Sequence, residues 1–151
     1  MTSILSQIMP LENIVLDMAV EDKAALFRCL GQLFENNGFI QAALATQAFS
    51  EREEAGSTGL GCGVAIPHGR IASLPAASAA FIRLASPIPF DSPDGKPVQL
   101  VIAVLVPANK EDLHLQVLSE VASRFSDSDF RESIIMEQNK AIIHTRIADK
   151  Q

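Results

Sequence analysis

Apolar residues recur at helical spacing across Glu21–Asn37, where Leu26, Leu30 and Leu33 fall on one stripe with Phe27 and Phe34 beside them. Asn36, Asn37 and Gly38 then supply a helix stop. Gln41–Glu54 repeats the period more weakly, turns polar towards its end and is closed by Ala55 and Gly56. Asn13–Asp17 suits a short first strand, and Ala76–Leu84 closes in a strand-like pattern. Val98–Val106, "VQLVIAVLV", is almost continuously aliphatic and β-branched, which predicts a central strand buried on both faces. Ser86–Pro97, "SPIPFDSPDGKP", has four prolines and an Asp-Gly pair, so it reads as turns with room for one short edge strand. After Pro107, Asn109 is placed to cap a helix with Glu111 and Asp112 in its first turn. His114, Val117, Leu118, Val121, Ala122 and Phe125 line one face of that helix. Asp127 or Ser128 opens a final helix holding Phe130, Ile134 and Ile135, and Asn139–Lys150 has no clear assignment. Helices alternating with strands around one central strand predict an α/β fold: a single compact domain over residues 1–151, its mixed β-sheet sandwiched by helices on both faces.

Composition narrows the function. Of the 151 residues 48% are hydrophobic and 20% charged, enough apolar material for a core. There is no Trp or Tyr, so Phe and the aliphatic residues build the interior, with Cys29 among them. The net charge is −6 with no Lys/Arg cluster, which argues against a nucleic-acid binder and against a charge-driven membrane-surface role. Neither Cys29 nor Cys62 belongs to a Cys-x-x-Cys pair, so zinc and thioredoxin-like readings fail. The N-terminal residues lack the basic start and apolar run of a signal peptide, and no apolar run is long enough to span a bilayer. The expectation is a cytoplasmic protein with reduced thiols and no direct membrane insertion.

The chemistry concentrates in Ser57–Arg70, "STGLGCGVAIPHGR". Pro67 fixes its own φ and extends Ile66, while Gly69 is free to adopt angles other residues avoid, so His68 is expected on a stiff, tight turn. Gly59, Gly61 and Gly63 let backbone amides approach a ligand, Ser57 and Thr58 offer hydroxyls, and Arg52 and Arg70 offer guanidinium groups. Amides, hydroxyls and arginines together make an anion site, and an imidazole within one suggests phosphoryl chemistry with neutral histidine as nucleophile. His114, in the first turn of its helix, is the candidate second imidazole. Each residue also has a plain structural reading: an architectural turn for His68, a helix-face position for His114, a solvated charge within "EREE" for Arg52. A cysteine–histidine hydrolase built on Cys62 lacks a clear base, and His68, His114 and His144 lack ligand-like spacing, so no metal site is expected.

Two stretches carry a family resemblance. "REEAGSTGLGCGVAIPHGR" (Arg52–Arg70) and "EDLHLQVLSEVASRFSD" (Glu111–Asp127) resemble, in order, the two histidine regions of the fructose/mannitol-type enzyme IIA proteins of the bacterial phosphotransferase system. The resemblance covers nearly the whole chain. The "GVAIPHG" wording and the absence of fused transporter or HPr-like segments point to the nitrogen-type branch. The resemblance implies that His68 accepts a phosphoryl group, that His114 supports it and that Arg52 lies nearby, with Ser57, Thr58, Gly69 and Arg70 as secondary binding candidates. Cys62 stands where many relatives carry a polar residue, and Arg70 also varies among them. The donor would be an HPr-like phosphocarrier protein and the output regulation of nitrogen- or potassium-related processes through regulatory target proteins, with no cofactor. The alternatives are a sugar-specific enzyme IIA that passes the group to a transporter's B domain, and a non-catalytic binding module.

Overall fold

The aliphatic run forms a ten-residue strand, Val98–Pro107, in the middle of a six-stranded sheet. The computed structural model describes residues 4–38 and 40–148; the ends of the expected domain, residues 1–3 and 149–151, lie outside the described residues. In chain order the elements are α1 (Ile4–Ile8), a 3₁₀ turn (Leu11–Asn13), β1 (Ile14–Met18), α2 (Lys23–Asn37), α3 (Ala42–Glu54), β2 (Gly59–Gly61), β3 (Val64–Ala65), β4 (His68–Ile71), β5 (Ser78–Ile88), β6 (Val98–Pro107), α4 (Glu111–Phe125), α5 (Ser128–Met136) and α6 (Lys140–Ala148). The sheet runs β1-β5-β6-β3-β2, and β4 also pairs with β6. β5 is antiparallel to β6 and β2 to β3, while β1 is parallel to β5 and β3 and β4 are parallel to β6, so the sheet is mixed.

Period-two alternation along β6 sends Val101, Ala103 and Leu105 to one core and Leu100, Ile102, Val104 and Val106 to another. The first core is closed by α2 and α3 through Leu26, Leu30, Phe34, Ala45 and Phe49. The second is closed by α1, α4, α5 and α6 through Leu5, Val117, Val121, Phe125, Ile134, Ile143 and Ile147. This is the expected α/β sandwich.

Several local expectations are corrected. β5 continues through Ser86, Pro87 and Ile88 instead of breaking into turns. Its pairing with β6 shifts between Arg83 and Ile88, and a proline is tolerated where the ladder is already irregular. Asn109 does not cap α4: a turn in which the Lys110 amide donates to Pro107 O puts the boundary at Lys110, with no side-chain cap. Ala122 is exposed on α4, and Cys29 is exposed on α2 rather than part of the core. Asp127 does cap α5, its carboxylate accepting from the Asp129 and Phe130 amides, but Ile135 faces outward. The unassigned tail forms α6, started by Asn139 Oδ1 accepting from the Ala141 and Ile142 amides.

Candidate functional site

β3 and β4 lie along the same edge of β6 in one continuous register: Val64 opposite Leu100, Ala65 opposite Val101, His68 opposite Val104 and Arg70 opposite Val106. Ile66 and Pro67 interrupt that strand. The Ile66 amide turns to Thr58 O at 3.0 Å, and Pro67, which has no amide, still offers its carbonyl to Val104 N at 2.9 Å. The expected tight turn is therefore a strand broken at its proline, and His68 starts the second half. Gly69 does not take a left-handed conformation. Its smallness serves close packing, because a Cβ there would lie 3.0 Å from the Ala48 Cβ on α3.

Ala48 and Arg52 are one helical turn apart, so the contact that seats α3 on Gly69 also carries Arg52 to His68. Arg52 Nε donates to His68 Nε2 at 3.2 Å, and its Nη1 donates to Gly56 O at 2.8 Å. His68 Nδ1 lies 2.7 Å from Ile66 O. A carbonyl only accepts and an arginine only donates, so the ring is the neutral Nδ1–H tautomer with its lone pair on Nε2. The ring of His114, from the first turn of α4, sits 5.1 Å from that of His68 at 54°. His114 Nε2 is buried with no hydrogen-bond partner among the described residues.

Electrostatics favour neutral rings. Burial is the main cause that lowers the His68 pKa; the Nδ1 hydrogen bond to Ile66 and the Glu53 charge oppose the shift, and Arg52 adds to it. Burial also lowers His114 first, followed by the charges of His68, Arg70 and Arg52, with Glu111 opposing. The arrangement thus presents one uncharged nucleophilic nitrogen between a guanidinium and a second imidazole. Such a nitrogen can take an electrophilic phosphorus whose oxygens then meet positive and hydrogen-bonding groups.

The other sequence candidates sit around this centre in structural bonds. Ser57 Oγ donates to Phe90 O at 2.7 Å and accepts from Gly59 N. Thr58 Oγ1 and N both donate to Glu53 Oε1, at 2.6 and 3.0 Å. Arg70 is exposed and paired with Glu111 at 2.8 Å. The glycine-rich stretch packs against the 92–95 turn: a Cβ at Gly59 would strike Ser92 Oγ, and the Cys62 amide donates to Asp94 Oδ2 at 2.9 Å. His144 is remote in role, its Nε2 lying 2.8 Å from Met9 O. Among the described residues, no group of three His, Cys, Asp or Glu side chains is placed to hold a metal ion. Nor is any helix there long and apolar enough to cross a membrane.

Sequence reasoning missed Glu53 and Lys23. Glu53 continues the buried stripe of α3 one turn beyond Ala45 and Phe49. That spacing was the available signal, and the charge run "EREE" concealed it.

Residues 7–150 match the family model for the phosphoenolpyruvate-dependent sugar phosphotransferase system, EIIA 2. The chain is 33% identical over 146 residues to the PTS system fructose-specific EIIA component of Haloferax volcanii, covering 96% of this chain and 95% of that one. It is 39% identical over 106 residues to the nitrogen regulatory protein of Escherichia coli K12, covering 70% of this chain and 65% of that one. The crystal structure of nitrogen regulatory protein IIA-Ntr from Neisseria meningitidis superposes with a TM-score of 0.93 at 44% identity, covering 97% of this chain and 100% of that one. Mannitol IIA from Escherichia coli shares the fold, with a TM-score of 0.79 at 22% identity over 92% of this chain and 98% of its own.

Proposed function

This chain belongs to the EIIA 2 family of the phosphoenolpyruvate-dependent sugar phosphotransferase system, and from that premise we propose that His68 accepts a phosphoryl group from an HPr-like phosphocarrier protein, with a regulatory output. The observation that carries the reading is the orientation of one imidazole: Nδ1 is committed to Ile66 O, and Nε2 faces Arg52 beside the ring of His114.

The step follows from that orientation. The His68 Nε2 lone pair attacks the phosphorus of the donor's phosphohistidine. The new N–P bond forms as the donor's N–P bond breaks, and that electron pair returns to the donor imidazole. The Nδ1 proton stays on the ring, where Ile66 O stabilises the developing positive charge. Arg52 gives up the Nε2 lone pair and donates to a phosphoryl oxygen, and His114 supplies a second hydrogen bond through its unpartnered Nε2. A phosphoryl group adds about −1.5 to −2 charge, which changes what the surface around His68 binds. Similarity to nitrogen regulatory proteins supports a readout in nitrogen-related control. The full-length similarity to a fructose-specific EIIA component supports a second reading, transfer onward to a transporter's B domain.

The test is intact-mass spectrometry at alkaline pH after incubation with phosphoenolpyruvate, the first enzyme of the system and an HPr-like carrier. The expected result is a gain of one phosphoryl group (about 80 Da) that disappears in His68→Ala. No gain with a competent carrier overturns the reading. A further transfer to a sugar-specific B domain would favour the second reading over the regulatory one.

A further inference from the structure

Beneath Arg52 lies a buried carboxylate that the transfer step does not touch. Glu53 is the next residue of α3, its side chain only 7% exposed, and donors surround it. Oε1 accepts from Thr58 N and Thr58 Oγ1, and Oε2 accepts from Lys23 Nζ at 3.1 Å. Lys23, the first residue of α2, also binds Asp91 Oδ2 at 2.8 Å and lies over the Phe90 ring. Ser57 Oγ holds the Phe90 carbonyl. The link from α3 to β2 is thus tied down on both sides of Gly56, whose carbonyl is the second anchor of Arg52. Adjacent helical residues point about 100° apart, so Arg52 reaches His68 while Glu53 reaches back into the link.

We propose that Glu53 is a positioning residue of this site: by clamping Thr58 it fixes the Gly56 carbonyl, and through that carbonyl it holds the Arg52 Nε–H on the acceptor nitrogen of His68. The inference rests on the phosphoryl-acceptor reading of His68, but its geometric content is testable without phosphorylation. Desolvation opposes a charged carboxyl here; the hydrogen bonds from Thr58, Ser57 and Lys23 outweigh it and hold the Glu53 pKa below its ordinary value. The clamp is therefore charged across the range in which the histidines work.

The experiment compares the unaltered protein with Glu53→Ala, Glu53→Gln and Thr58→Val. Glu54→Gln, an exposed neighbour, serves as control. Two readouts are taken on each folded protein: ring ¹⁵N shifts of His68 without phosphate, and the rate of phosphorylation against carrier concentration. In Glu53→Ala the Nδ1–H held by Ile66 O stays in place, while the His68 Nε2 shift is expected to move as the Arg52 Nε–H leaves its lone pair. The maximal rate should fall roughly tenfold with carrier KM within about twofold, because the Glu53 side chain is only 7% exposed and offers a carrier little to touch. Glu53→Gln keeps an acceptor for Thr58 and should recover most of the Nε2 shift and the rate. Should Glu53→Ala fail to fold, Thr58→Val removes one clamp donor at nearly constant volume and should shift both readouts in the same direction. Unchanged ring shifts and unchanged maximal rate in the folded variants overturn the inference. Failure of the acceptor reading would look different: no phosphorylation of the unaltered protein, with the ring shifts still deciding whether Glu53 positions Arg52.

Discussion

His68 Nδ1 faces a carbonyl, which can only accept, and Nε2 faces a guanidinium, which can only donate. The tautomer is fixed by its neighbours before any partner arrives, so the acceptor nitrogen needs no prior proton transfer. Arg52→Ala removes the donor that moves from the lone pair to the phosphoryl group. Its rate of phosphorylation should fall roughly 10²-fold in a carrier-coupled assay, with the fold retained by circular dichroism. Arg52→Lys keeps the charge without the planar fork and should recover only part of the rate. Burial lowers the pKa of both histidines below their ordinary 6.5, so both stay neutral as pH falls past that value. Phosphate acceptance should therefore persist below pH 6.5, where a free imidazole would already be protonated. The same shifts work against stability: below about pH 6.5 the unfolded chain binds protons that the folded chain does not, so stability falls with pH until the folded rings protonate as well. A thermal-denaturation series should show this slope, reduced in a His68→Gln/His114→Gln double variant.

At the scale of elements, one contact between α3 and β4 sets the distance from Arg52 to His68. Gly69→Ala would put a Cβ 3.0 Å from the Ala48 Cβ and push the helix away by a few tenths of an ångström. The expected cost is about 1 kcal/mol with a measurable loss of transfer; Ala48→Gly in the same protein should restore the rate but not the melting temperature, since a glycine inside α3 costs about 1 kcal/mol itself. This contact also shows how far the sequence could be read. His68, His114 and Arg52 were legible as chemistry because their types and order form a motif, and the structure gathers all three. Their geometry was not legible. Pro67 and Gly69 read locally as a turn, but the register that keeps the segment extended comes from β6, more than 30 residues away in sequence. Glu53 was hidden for the same reason, because its burial depends on Thr58, Lys23 and the α2–α3 packing rather than on its charged neighbours.

At the scale of the whole molecule, the two faces of the sheet divide the site's supports, with Arg52 arriving from the α2–α3 layer and His114 from the α1–α4–α5–α6 layer. The central strand was plain from its aliphatic run. The second layer was only half visible, since α6 lacks a strong stripe and one of its anchors is a buried cation. Arg83, on β5 and 2% exposed, donates to the carbonyls of Ile134, Ile135 and Glu137 and to Gln138 Oε1, closing the C-terminal end of α5 against the sheet. Arg83→Met would leave those carbonyls without donors and should cost roughly 2–4 kcal/mol in denaturant unfolding, while phosphate acceptance below the transition stays intact. All three scales converge on one atom. The most direct measurement is therefore phosphorus–nitrogen coupling by NMR on the ring-¹⁵N-labelled, carrier-phosphorylated protein. With Nδ1–H held by Ile66 O, the coupling is expected on Nε2 of His68; a phosphoryl group on His68 Nδ1, on His114 or on His144 would contradict the assignment of the acceptor nitrogen.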